Sequence, residues 1–129
     1  MTQGGLILAT FFIVDDEPFL HELYRDILEL KGHKVVGEAY NGKECIEKLL
    51  KENPNPVKEP EFIIMDHRMP ILNGLDTMKI LLEKKPEMKI IFVSADVTVK
   101  DEAMAAGSAG FIKKPFNINT FFKYIGSLM

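Results

Sequence analysis

The chain has 129 residues, 47% of them hydrophobic and 27% charged, and a formal net charge of -3. That length fits one ordinary domain with a real core and is too short for two, so residues 1–129 are read as a single domain with a flexible N-terminus over 1–6. The weakly acidic balance excludes a general nucleic-acid surface, no local basic patch replaces it, and direct nucleic-acid binding is not expected.

The longest apolar run, Leu6 to Val14, is far below the roughly 20 residues that cross a bilayer, and no basic region precedes it as a secretory signal requires. It reads as a core strand, Leu8 to Val14, and membrane insertion is not expected. Asp16 is then a candidate N-cap with Pro18 in the first turn, and Leu20, Leu23, Tyr24, Ile27 and Leu30 form the stripe of a first helix that Gly32 closes. A second strand, Val35 to Ala39, leads through Asn41-Gly42 into a helix lined by Cys45, Ile46, Leu49 and Leu50. Cys45 is the single cysteine, so no internal disulfide forms and an intracellular, reducing compartment is favoured. Asn53 to Pro60 (NPNPVKEP) reads as a surface loop, not a domain boundary. The third strand, Phe62 to Met65, turns at Gly74 into a helix carrying Leu75, Met78, Leu81 and Leu82. After the fourth strand, Lys89 to Val93, comes a weaker helix with Ala103, Met104 and Ala106, ended by Gly107 and Gly110. The fifth strand, Gly110 to Ile112, precedes a helix with Ile118, Phe121, Phe122 and Ile125. Each stripe at helical spacing is read as core.

Five alternations of strand and helix specify an α/β fold, a five-stranded parallel sheet with helices on both faces, because parallel strands need crossovers and the crossovers cover the sheet. In such folds ligands bind outside the carboxyl ends of the strands, where the strand order switches. The residues that gather there are Asp15 and Asp16 after the first strand, Asp66 after the third, Ser94 after the fourth, and Lys114 followed by Pro115 after the fifth. Two carboxylates about 4 Å apart repel by about 4 kcal/mol at an effective dielectric of about 20, so three of them need a counter-charge or a raised pKa. Mg²⁺ suits them: it takes one or two carboxylates, keeps several waters and accepts a phosphate oxygen. Zinc lacks its preferred ligands, since His21, His33 and His67 are scattered and only His67 lies near the site. With a metal bound, one carboxylate can attack phosphorus, and Asp66, alone on the central strand, suits that role. Lys114 and Ser94 suit the oxygens of an incoming anion.

The stretches IVDDEP (13–18), VVGEAYNG (35–42), MDHRMPILNG (65–74), VSAD (93–96) and FIKKPF (111–116) occur in this order. From about Leu8 onwards the chain thereby resembles the receiver domain of two-component response regulators, of the stand-alone, chemotaxis-regulator-like kind. The resemblance implies a (βα)5 flavodoxin-like fold in which Asp66 accepts a phosphoryl group from a histidine kinase or a histidine phosphotransfer protein. It implies that Asp16, Asp66 and the backbone carbonyl of Arg68 bind Mg²⁺ directly, with Asp15 acting through water, and that Ser94 and Lys114 contact the phosphoryl group. Lys114 is chosen over Lys113 because it precedes Pro115, whose peptide bond is expected to be cis, and because strand side chains alternate. Phe111 stands at the family's aromatic switch position; without a hydroxyl it must couple to Ser94 by packing, unless it is a fixed strand residue.

Arg68 folds over the phosphoryl group, pairs with Asp96 across the cleft, or is a solvated surface arginine, and Ala95 is small enough to admit a water or a donor. The output implied is a cytoplasmic signalling switch that binds a partner through its fourth helix, fifth strand and fifth helix, as a monomer or a phosphorylation-dependent dimer. The tail residues Phe121, Phe122, Tyr124, Leu128 and Met129 extend that face or belong to the core. Such a domain promotes its own phosphorylation and dephosphorylation and is not otherwise an enzyme. The competing readings are a phosphorelay shuttle, an inactive binding module, and a Mg²⁺-dependent phosphatase with an aspartyl nucleophile. The phosphatase wants a second carboxylate two residues after the nucleophile, where Arg68 stands.

Overall fold

The structure is a computed structural model in which residues 8–50 and 59–129 are described. The expected N-terminal tail over 1–6 and most of the loop expected over Asn53 to Pro60 lie outside the described residues. In chain order the elements are β1 (Thr10–Val14), α1 (Pro18–Leu30), β2 (Lys34–Ala39), α2 (Gly42–Leu49), β3 (Phe62–Met65), α3 (Gly74–Lys84), β4 (Lys89–Ser94), a 3-10 turn (Val97–Val99), α4 (Lys100–Ala105), β5 (Gly110–Lys113) and α5 (Ile118–Ser127). All strand pairs are parallel and the sheet order is β2-β1-β3-β4-β5. The order reverses between β1 and β3, which are neighbours at the middle of the sheet.

Alternation along each strand divides the core in two. Phe11 and Ile13 of β1 face one side, with Tyr24, Ile27 and Leu28 of α1 and Phe121 and Ile125 of α5. Phe12 and Val14 face the other, with Cys45 and Leu49 of α2, Leu75, Met78 and Leu81 of α3, and Ala103 of α4. All four residues of β3 are buried, as expected of a central strand covered on both faces. Among the described residues no helix is long and apolar enough to cross a membrane.

Several expectations need correction. The N-cap of α1 is Glu17, with Pro18 at the first helical positions; Asp16 does not cap it. Asp15 supplies the carboxylate instead, its Oδ1 accepting the Glu17 N–H at 2.9 Å. Leu30 is 86% exposed whereas Leu28 is buried. At 100° per residue Leu30 lies about 120° around the helix from Tyr24, while Leu28 and His21 lie within about 60° of it. The buried arc of α1 therefore takes His21, which is 3% exposed. Met104 and Ile118 are nearly half-exposed, leaving Ala103 to seat α4 and Phe121 with Ile125 to seat α5. α2, α3 and α5 begin at Asn41, Asn73 and Asn117, each of whose side chains accepts a first-turn N–H. β1 begins two residues later than expected, while β4 and β5 each run one residue further, to Ser94 and Lys113.

Candidate functional site

The pairing of Val14 with Met65 makes β1 and β3 end side by side, and the Asp66 N–H donates to the Val14 carbonyl at 2.9 Å. Asp15, Asp16 and Asp66 thus leave adjacent strand ends together, and one carboxylate oxygen from each lies within 4.8 Å of the others. Asp15 and Asp66 are buried and Asp16 is exposed. The path out of β3 is tight: a Cβ on Gly74 would strike the Asp66 carbonyl oxygen, and the Gly74 N–H donates to the His67 carbonyl at 2.8 Å. Glycine at 74 lets α3 begin hard against the Asp66 backbone.

Lys114 enters from β5. Its N–H donates to the Ser94 carbonyl at 2.9 Å, and the Lys114–Pro115 peptide bond is cis. The ammonium lies 2.7 Å from Asp15 Oδ2 and 3.5 Å from Asp66 Oδ2, whereas Lys113 is exposed. Burial pushes the Asp66 carboxyl above its ordinary value; Lys114 and the His67 N–H pull it back, while Asp15 and Asp16 push it further up. Ser94 is buried and its Oγ accepts the Asp96 N–H at 3.1 Å, which leaves the hydroxyl proton free to donate elsewhere.

Of the readings open for Arg68, the structure shows the pair across the cleft. Nε donates to Asp96 Oδ2 at 3.3 Å on a side chain that remains 81% exposed. Asp96 is held below the usual carboxylate range, chiefly by the Thr98 hydroxyl and with a smaller contribution from Arg68. Phe111 is buried and stacks on Phe92 with ring centroids 6.4 Å apart. Ala95 is exposed and, with Leu20, Leu23, Pro115 and Phe116, lines an apolar cleft of about 500 Å³ beside Lys114.

The expectation that only His67 lies near the site is wrong. His21 Nε2 is 2.6 Å from the Asp15 carbonyl oxygen and its Nδ1 is 2.9 Å from Glu38 Oε1. No side-chain pattern betrays this contact, because its acceptor is backbone. A place on the buried arc of α1, five residues after Asp16, was the one available signal. His67 contributes its N–H to Asp66 Oδ1 and offers Nδ1 to the Leu75 N–H at 3.3 Å. Neither ring joins the carboxylate cluster, so its donors remain all oxygen. Tyr124 was also missed as a site neighbour: its hydroxyl oxygen accepts the Phe111 N–H at 3.0 Å.

Three carboxylate oxygens this close carry more negative charge than one ammonium neutralises, and their surroundings raise Asp66 rather than lower it. An all-oxygen set of this charge fits a hard divalent cation such as Mg²⁺. Beside it stands the Lys114 ammonium, and Ser94 ends the neighbouring β4, so a lysine and a serine hydroxyl, donors suited to a tetrahedral oxyanion, border the same end of the sheet.

The family model described as "Response regulator receiver domain" matches residues 11–126. Chemotaxis protein CheY of Thermotoga maritima is 41% identical over 106 residues, 81% of this chain and 83% of that protein. Chemotaxis protein CheY of Bacillus subtilis is 31% identical over 119 residues, 91% of this chain and 94% of that protein. The match to a protein-glutamate methylesterase/protein-glutamine glutaminase of Methanococcoides burtonii, 36% identical, takes in 91% of this chain but 33% of that longer protein. Among solved structures, the CheX-CheY-BeF3-Mg complex of Borrelia burgdorferi superposes with a TM-score of 0.81 at 25% identity, over 95% of this chain and 90% of that one. The Mg²⁺-BeF complex of response regulator TrrA from Thermotoga maritima gives 0.80 at 25% identity, over 95% and 100%. Acids at the switch point, a lysine before a cis-proline and a family match spanning all five strands lead to one conclusion: the chain belongs to the response regulator receiver domains.

Proposed function

We propose that this domain is a Mg²⁺-dependent phosphoacceptor in which Asp66 takes a phosphoryl group from phosphohistidine on a histidine kinase or histidine phosphotransfer protein. The observation that carries this reading is the meeting of three carboxylates and one ammonium at the point where the strand order reverses, with Asp66 emerging alone from β3. An Asp66 carboxylate oxygen forms a bond to phosphorus while the phosphorus–nitrogen bond to the donor imidazole breaks. The nitrogen keeps the electron pair and takes up a proton.

Asp16, Asp66 and the Arg68 backbone carbonyl would hold the Mg²⁺, with Asp15 contributing through water. When bound, the ion neutralises charge gathering on the phosphoryl oxygens. Lys114 turns part of its charge from Asp15 to those oxygens, and the Ser94 hydroxyl donates to one of them. Ser94 and Phe111 then move inward, and the face of α4, β5 and α5 changes for a partner protein, in a monomer or a phosphorylation-dependent dimer. The two neighbours solved with Mg²⁺ and a beryllium fluoride support the ion, and the complex containing CheX supports signalling through a protein partner. The same reading places the chain, with its buried free Cys45, in the cytoplasm. A phosphatase is disfavoured: the position two residues after Asp66 holds Arg68, which turns to Asp96.

Incubation with acetyl phosphate, with and without Mg²⁺, followed by intact mass tests the reading. The wild type gains one phosphate only with Mg²⁺, and Asp66→Asn gains none. A wild type that gains nothing, or an Asp66→Asn that gains as much, overturns it.

A further inference from the structure

Asp15 is fixed at every polar atom it has. Its N–H donates to the Ala39 carbonyl at 3.2 Å, Oδ1 accepts from the Glu17 N–H at 2.9 Å, and Oδ2 accepts from Lys114 at 2.7 Å. Its carbonyl oxygen accepts from His21 Nε2 at 2.6 Å. A carbonyl only accepts, so Nε2 carries the hydrogen of this bond. The ring is held in turn from its other end, with Nδ1 2.9 Å from Glu38 Oε1, and that same oxygen lies 3.3 Å from Arg25. Tyr40 closes the clamp, its ring lying on the imidazole with centroids 4.1 Å apart and planes 27° apart. The result is a chain of contacts from the partly exposed Arg25 and Glu38, through the buried His21 ring, to one backbone oxygen beside the acidic site.

That oxygen matters because the Asp15 carbonyl and the Asp16 N–H belong to one planar peptide. Fixing the oxygen fixes the rotation of the plane, and so narrows the directions in which the Asp16 side chain leaves the chain just beyond β1. Asp16 needs such help: it is exposed, and among the described residues no hydrogen bond or ion pair holds its carboxylate.

We propose that His21 is a positioning residue for the magnesium site, presetting the Asp15–Asp16 peptide through the Asp15 carbonyl so that the Asp16 carboxylate is aimed before the ion arrives. This rests on the reading of the site as a Mg²⁺ site. Partners that orient a ligand without touching the metal commonly change affinity tenfold or more, because they determine how much ordering the ion must impose on arrival.

The test measures the Mg²⁺ dissociation constant of the full chain by calorimetry for wild type, His21→Leu, His21→Gln and Glu38→Ala. Amide nitrogen and proton shifts of Asp16 and Glu17 are recorded without metal. His21→Leu weakens Mg²⁺ binding about tenfold and shifts the Asp16 amide, whereas His21→Gln, which still offers an N–H to the carbonyl, stays within about threefold of wild type. At saturating Mg²⁺ the phosphorylation rate of His21→Leu returns to that of wild type, so the defect lies in the metal constant and not in the maximal rate. A His21→Leu that melts earlier but binds Mg²⁺ as wild type does, or a His21→Gln that falls as far as leucine, overturns the proposal. If His21→Leu fails to fold, Glu38→Ala decides: it keeps the ring and removes its anchor at Nδ1, and an unchanged Mg²⁺ constant there overturns the proposal. A wild type that binds no Mg²⁺ overturns the proposed function as well, whereas wild-type binding with unaffected variants overturns the role of His21 alone.

Discussion

Without metal, the charge on Asp66 works against the fold, and Asp66→Asn should make the domain more stable. With the carboxylate oxygens no more than 4.8 Å apart, the Asp15–Asp66 repulsion is at least about 3.5 kcal/mol for an effective dielectric of about 20. Lys114 at 3.5 Å from Asp66 returns about 4.7 kcal/mol on the same scale. These two largely cancel. What remains is burial, the largest influence on Asp66, which the His67 N–H opposes and Asp16 reinforces, and the balance disfavours the charge. Full burial of an ion costs several kcal/mol, so relieving a partly buried one stabilises by about 1 kcal/mol. Asparagine keeps an oxygen for the His67 N–H and leaves Lys114 on Asp15. In chelator at pH 7 the melting temperature of Asp66→Asn should rise by about 4 °C, read by circular dichroism. The sign follows from linkage: a carboxyl whose folded pKa is raised contributes most below its unfolded value of about 3.9 and loses that contribution as pH rises through the folded value. The advantage of asparagine must therefore shrink as pH falls towards 4. Saturating Mg²⁺ should stabilise the wild type more than the variant, since only the wild type presents the third carboxylate. An Asp66→Asn that melts below the wild type in chelator would refute this account of the site's electrostatics.

Arg68→Ala should change unfolding free energy by less than about 0.5 kcal/mol, because the Asp96 pair is exposed on the arginine side. By opening the cleft above Asp66 it should shorten the lifetime of the phosphorylated form several-fold, followed by intact mass after the phosphodonor is removed; an unchanged lifetime would show that the pair does not screen the site. Tyr124→Phe deletes the acceptor of the Phe111 N–H and should cost about 1 kcal/mol, with faster hydrogen exchange at the Phe111 amide in NMR. His33 is buried with no partner for Nδ1 among the described residues, and burial lowers its pKa although Glu61 opposes the shift. Folding is therefore weakened as pH falls from about 6.5 through the lowered folded value. Urea unfolding of His33→Phe at pH 7 and pH 5 should show a smaller loss than the wild type, and an equal loss would acquit His33.

The strands could be read because buried parallel strands leave continuous apolar runs, and FIIM and KIIFV do so plainly. Their ends were less legible. Ser94 and Lys113 are strand residues by backbone pairing, but a polar side chain at the end of an apolar run says nothing about whether its backbone continues the ladder. In α1 the apolar residues alone suggested a stripe ending at Leu30. Geometry instead centres the buried arc on Tyr24, drops Leu30 and admits His21. A histidine scored as polar is invisible to a count of hydrophobic positions, although its angle around the helix was available from the start.

The acids, Ser94 and Lys114 were legible for a chemical reason: each interrupts an apolar run at the same end of its strand, and a parallel sheet brings those ends together. The contacts that escaped share a different property, because each ends on the backbone. His21 grips the Asp15 carbonyl, Tyr124 holds the Phe111 N–H, and Gly74 makes room for the Asp66 carbonyl. Every residue carries those same groups, so no choice of side chain announces that one has been selected as a partner. The Tyr124 bond shows what this hides. Phe111, lacking a hydroxyl, was expected to couple by packing alone, and its ring does stack on Phe92. Its own amide, at the outer edge of β5, is nevertheless tied to a hydroxyl on α5. Were the Phe111 backbone to shift towards Ser94, that bond would have to stretch or carry Tyr124 with it, a link to α5 made by hydrogen-bond geometry in addition to ring contacts.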